Sequence, residues 1–124
     1  MKKEELIKKY APNENLLDNW LQKISRYNLL TEEETAILLQ KIKKGDENAL
    51  EKVVKAHLRL TISALNIYQN QGIGLIELIN IAISGLIDAT KEFDYSQNDK
   101  FIRFAVGFMR NRIEKAIEEK KLNN

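Results

Sequence analysis

Cysteine is absent and histidine occurs once. Disulfides, thiolate nucleophiles, Cys-based zinc sites and paired-imidazole metal sites are therefore all excluded. With one proline, five glycines and little β-branched alternation, the chain reads as helices punctuated by short turns, and no sheet is expected. No stretch approaches the roughly 20 apolar residues that cross a bilayer, so a membrane protein is not expected. The first residues, Met1 to Ile7, are basic but lack the apolar run that completes a signal peptide, which predicts a cytoplasmic protein. Carboxylates are plentiful, yet no Ser-centred motif or phosphate cradle accompanies them. Gln71-Gly72-Ile73-Gly74 lacks the lysine and hydroxyl of a Walker loop. No enzyme, cofactor or metal is expected. A formal charge of +2 is too small to announce nucleic acid, so the placement of charge has to decide that question.

What is present fits a single compact all-α domain of about five helices. Its 124 residues are 44% hydrophobic and 31% charged. Residues 1–12 read as a lead-in whose marginal helix frays and ends at Pro12, and residues 13–124 as the helical domain. Asn13 or Asn15 caps a helix to about Arg26, with Leu16, Leu17, Trp20, Leu21 and Ile24 on one face. Trp20 reads as core, although an indole near a domain edge can also meet a base. Thr31-Glu32-Glu33-Glu34 is a capping box. The helix it starts runs to Lys43-Lys44, where Gly45 can take the left-handed conformation and Asp46 caps the next helix. That helix, about Glu47 to Gln69, is expected to be the central core helix. His57 on its inward stripe reads as a structural imidazole with one hydrogen bond.

The pair Leu75 to Phe93 and Lys100 to about Lys121, joined by a polar hinge, is where function is expected: a protein-binding face beside a nucleic-acid-binding face. The first helix carries two apolar stripes. Leu75, Leu78, Ile79, Ala82, Leu86, Ala89 and Phe93 form one; Ile76, Ile83 and Ile87, with Asn80 between them and Ile81 beside them, form the other. Either a neighbouring helix of the same chain covers the second stripe, or a partner does. Gly85 in mid-helix predicts close backbone approach by another helix.

Many short matches in register resemble one family. They include Asn28-Leu29-Leu30-Thr31 before glutamates, Lys44-Gly45-Asp46, Ala56-His57-Leu58-Arg59-Leu60, Leu75-Ile76-Glu77-Leu78-Ile79-Asn80, Gly85-Leu86, Lys91-Glu92-Phe93-Asp94 and Lys100-Phe101. In this order, over roughly Trp20 to Ile117, the chain resembles the first two regions of bacterial primary sigma factors, the promoter-recognition subunits of RNA polymerase. The resemblance implies a sigma region-two-like fold. It also implies that the helix 75–93 docks on the clamp helices of the polymerase largest subunit. Glu77 and Asn80 stand conservatively for two of the family's polar docking residues, while Ile81 and Ile83 replace a glutamate and an asparagine; Ile87 extends the same surface.

The resemblance further implies that the last helix captures the promoter minus-ten element. Strand separation there needs aromatic rings to replace base stacking. Asp99, Phe104, Gly107 and Phe108 occupy the family's four aromatic positions, and of these Phe104 and Phe108 can stack. Ser96 and Gln97 replace basic residues of the hinge. Lys100, Phe101, Arg103, Arg110 and Lys115 complete the expected DNA contacts, with Arg112, Lys120 and Lys121 as further cations. Asn111 stands at a family glutamine and can read adenine through its amide. The bland reading of these cations is a solvated, salt-bridged face shared with Glu114, Glu118 and Glu119. The helix-turn-helix that reads the minus-thirty-five element has no counterpart, so a complete stand-alone initiator is not expected. The alternative to a sigma-like initiator is a diverged interaction module that uses the isoleucines to form a homodimer or to bind a regulator, without melting DNA.

Overall fold

The computed structural model describes residues 2–95 and 99–123. Seven α-helices form among them: α1 (Lys3–Tyr10), α2 (Leu17–Ser25), α3 (Glu32–Lys43), α4 (Glu47–Ala56), α5 (Leu58–Leu65), α6 (Leu75–Glu92) and α7 (Phe101–Leu122). Short 3-10 turns over Glu14–Leu16 and Asn66–Tyr68 lead into α2 and out of α5. No strand forms among the described residues, so the chain is all-α.

Local chemistry sets most boundaries. The Thr31 hydroxyl accepts from the Glu34 amide at 3.1 Å while the Glu34 carboxylate accepts from the Thr31 amide at 3.0 Å, completing the capping box. Gly45 takes φ +92° after α3, and Asp46 Oδ1 accepts from the Ala49 amide at 3.1 Å to start α4. Asn13 Oδ1 accepts from the Asn15 amide and so caps the 3-10 turn Glu14–Leu16, whereas α2 itself starts after Leu16 without a side-chain cap, contrary to the expectation that Asn13 or Asn15 caps it.

Three further expectations change, the last of them the identity of the central helix. The helix expected over 47–69 divides at His57, whose φ of −113° and ψ of 8° lie off the helical well. Its ring Nδ1 lies 2.6 Å from the Val53 carbonyl, the acceptor its own amide would use in an unbroken helix. The His57 amide turns instead to the Val54 carbonyl at 3.1 Å. A side chain that satisfies the i−4 carbonyl lets the backbone bend there. Residues 3–10, expected to fray, are seated: Leu6 and Tyr10 are buried in the core, and the Trp20 indole donates to the Tyr10 carbonyl at 2.6 Å. Trp20 is thus a core residue with its one donor satisfied.

The centre of the fold is α6, not the helix expected at 47–69. Helices α1, α3, α4, α5 and α7 all pack on α6, and its Leu78, Ile79, Ala82, Ile83, Leu86, Ile87 and Ala89 are fully buried. The closest approach is to α7, where a Cβ added to Gly85 would stand 2.9 Å from the Met109 Cα. The missing side chain lets the two backbones touch.

Candidate functional site

The helices α6 and α7 are amphipathic to different degrees. On α7, Phe101, Ala105, Met109, Ile113 and Ile117 point inward at a regular spacing of four residues. The opposite side carries exposed Lys100, Arg103, Asn111 and Lys115, with Arg110 and Arg112 half-buried. The inward stripe is wholly apolar, while the outer side is mainly polar with Ile102 exposed and Phe104, Val106 and Phe108 half-buried along its flanks.

Phe101 does not belong to that outer side. It is fully buried, edge-on to His57 at 5.1 Å and to Phe93 at 5.5 Å between ring centroids, so it holds the start of α7 to the core and cannot stack on a base. Phe104 and Phe108 are half-buried and lie one helical turn apart, with centroids 5.1 Å apart and planes tilted by 41°. Phe104 also meets Phe93 at 5.1 Å. The Arg112 guanidinium lies 5.7 Å from the Phe108 ring and ion-pairs with Asp88 at 2.6 Å. The result is a ladder of rings ending in a cation, with the outer edges of Phe104 and Phe108 reachable from solvent.

The cations of α7 are unequally available. Arg103 faces Asp99 at 3.7 Å and is mostly exposed, a pair that contributes little to stability. Arg110 leans inward, its Nε donating to the Ala64 carbonyl at 3.3 Å. Beside it the Tyr68 hydroxyl donates to Glu114 at 2.7 Å; burial and this carboxylate push the phenol up to about 12. Lys100, Asn111 and Lys115 are exposed. Ser96 and Gln97, the hinge positions expected to have lost basic character, lie outside the described residues.

On α6 the expected docking residues part company. Glu77 is exposed in the first turn, where the helix dipole favours a carboxylate. Asn80 is half-buried, and its amide donates to the Ile76 carbonyl at 2.8 Å. Ile81 is half-buried in a groove of about 460 Å³ shared with Ile7 of α1, Ser84, Arg112 and Lys115. Ile83 and Ile87 are fully buried. The second apolar stripe is therefore covered mainly from within the chain, and neither of these two side chains can meet a partner at the surface. The sequence pattern missed Asp88, which binds both Lys3 of α1 at 2.7 Å and Arg112 of α7 at 2.6 Å. No local signal announces it, because its partners lie on other helices.

His57 is buried at the floor of an apolar groove lined by Leu29, Leu30, Leu60 and Ile102 at the start of α7. Burial holds its imidazole below the usual range, against the Val53 hydrogen bond and the more distant Glu32 carboxylate. His57 is a buried imidazole with one hydrogen bond, as the sequence suggested. Among the described residues no three of His, Cys, Asp or Glu converge to hold a metal ion, and no helix is long and apolar enough to cross a membrane.

A bundle centred on a buried helix, with a basic, aromatic-bearing helix packed along it, is the class of fold expected for sigma region two. No family model matches the chain. It is 36% identical over 100 residues to the RNA polymerase sigma factor SigA of Clostridium acetobutylicum and 33% identical over 100 residues to the RNA polymerase sigma factor SigA of Listeria monocytogenes, in each case covering 81% of this chain. The chain is a relative of the bacterial RNA polymerase sigma factors. It spans about a quarter of the length of these curated relatives, 26% and 27%.

Proposed function

We propose that this chain is a sigma-like transcription initiation protein of the cytoplasm that binds core RNA polymerase and promoter minus-ten DNA, with no chemical step of its own. The observation that carries the reading is the outer side of α7. There Lys100, Arg103, Asn111 and Lys115 are exposed beside the reachable edges of Phe104 and Phe108, in a chain related to sigma factors. Cations meet phosphates and set affinity; rings and the Asn111 amide meet bases. Arg110 contributes a longer-range charge, and Phe101 supports the helix from within.

The polymerase contact falls to the outward edge of α6, with Glu77, Asn80 and Ile81 facing the clamp helices of the largest subunit. Ile83 and Ile87 act beneath it as the packing that holds the edge in place. A carboxylate at position 81 would pair with a partner's arginine, and isoleucine cannot, so docking is weakened relative to a sigma factor that keeps the acid. A homodimer through the isoleucines is the lesser reading, because two of its side chains are buried in the monomer.

A pull-down of core polymerase with the wild-type chain and an Ile81→Glu variant tests this. Capture of core by the wild type, strengthened in the variant, is the expected result. Absence of core from both samples, at protein concentrations where both chains remain folded, overturns it.

A further inference from the structure

A concave polar cleft of about 600 Å³ lies between α1, α2 and α4, built from residues that neither α6 nor α7 supplies. Four ammonium groups line it: Lys9 from α1, Lys23 from α2, and Lys52 and Lys55 from α4. Its one carboxylate, Glu51, is already engaged. Lys9 Nζ donates to Glu51 Oε1 at 2.7 Å and the Tyr10 hydroxyl donates to the same oxygen at 2.5 Å. These two bonds hold the Glu51 carboxyl below its usual range, so it remains an anion committed to its partners. Lys23, Lys52 and Lys55 have no ion pair with any described residue.

Lys52 and Lys55 are three residues apart and so share one side of α4. Lys55 Nζ is 5.1 Å from the centre of the Tyr27 ring, which the cleft also includes. Glu51 also attracts Lys55 at longer range, but one carboxylate faces four ammonium groups around the concavity, and the excess positive charge favours an anionic ligand. The cleft is far larger than one phosphate, the three lysines outside any ion pair come from two helices, and an aromatic ring stands among them. Spaced cations with an interleaved ring suit a strand, with phosphates on the lysines and a base on the ring, better than a compact anion.

We infer that this cleft is a second nucleic-acid contact, which takes the phosphodiester backbone of a single strand on Lys23, Lys52 and Lys55 with a base against Tyr27. The inference rests on the reading of the chain as a nucleic-acid-binding protein and adds a surface to it. The test is an amide NMR titration of the whole chain with an oligothymidylate of about twelve nucleotides, within the length one small domain covers. A parallel titration uses tripolyphosphate at equal phosphate concentration.

Saturable shifts at Lys23, Tyr27, Lys52 and Lys55 with the oligonucleotide, and not with tripolyphosphate, are expected. The double variant Lys23→Gln/Lys52→Gln, with an unchanged circular dichroism spectrum, should lower the slope of log affinity against log salt by about 1.4, at about 0.7 per lost phosphate contact. Cleft shifts of equal size with tripolyphosphate overturn the strand assignment. An unchanged salt slope in the double variant, or shifts confined to α7, overturns the second contact while leaving the α7 reading intact. Shifts in the cleft alone support the second contact and count against the α7 reading.

Discussion

The helices α6 and α7 pack along each other through Gly85 and Met109, yet they use their apolar residues differently. On α6 apolar residues occur nearly all round, and five neighbouring helices cover them. On α7 the buried ones form one stripe, and the remaining surface is rich in charge and largely exposed, with Ile102, Phe104 and Phe108 partly at the surface. A helix with only a narrow polar edge is thus better read as the centre of a fold than as a broad docking face, and the helix with the wider polar surface carries more of what is available to partners. Ile83 and Ile87 teach this directly. They stand where the resemblance leads one to expect partner contacts, and they are in the core.

The largest expected effect attacks the buried side. Ile83→Ala or Ile87→Ala should each destabilise the chain by about 2–5 kcal/mol, because each leaves a cavity at a fully enclosed position; urea denaturation measures it. A loss below about 1 kcal/mol would mean that these residues are not enclosed and would restore the partner face.

Next comes the seam between the helices. Gly85→Val should cost about 1–3 kcal/mol by forcing α6 and α7 apart, despite replacing a poor helix residue. The same measurement, read with the amide shifts of Met109, checks whether the strain falls on α7.

A smaller effect depends on pH and involves His57, which anchors the start of α7 through Phe101. Its folded imidazole is held below the usual range, so the unfolded chain binds the proton first as pH falls. Stability is fully present above the ordinary imidazole value of about 6.5 and declines from there toward the depressed folded value. Thermal melts across that window should show this decline, and His57→Asn should flatten it. A slope unchanged by the substitution would assign the acid sensitivity elsewhere.

The smallest effect belongs to the outer side of α7. Arg103→Ala and Lys115→Ala should each change stability by less than about 0.5 kcal/mol while reducing the salt dependence of DNA binding by about 0.7 per contact for a single strand. Melting curves and binding isotherms on the same variants separate the two. A large stability loss here would blur the contrast between the helices.

How much was legible in the sequence follows the range of the interaction involved. The capping box at Thr31, the Gly45 stop, the Asp46 cap and the glycine at the helix seam all announce themselves within a few residues, and the structure contains each of them. The break at His57 was not legible, since apolar spacing runs through it unbroken. Only the ring's bond to the Val53 carbonyl, with Phe101 packed on its edge, reveals it. The exposed cations and half-exposed rings of α7 were readable from spacing and from the family resemblance. The burial of Phe101 and the inward lean of Arg110 were not, because both depend on residues brought in from α5 and beyond α6.

By itself, then, the sequence determined the helical class, most helix ends and the kinship with sigma factors, because these rest on local hydrogen bonding, periodicity and residue-by-residue likeness. The tertiary structure decided which apolar stripe is covered and by what, that α1 belongs to the core, that Asp88 ties α1 to α7, and that three unpaired lysines share a cleft. Those outcomes depend on contacts between residues far apart in the chain, and the spacing within a single helix carries no information about what lies against it.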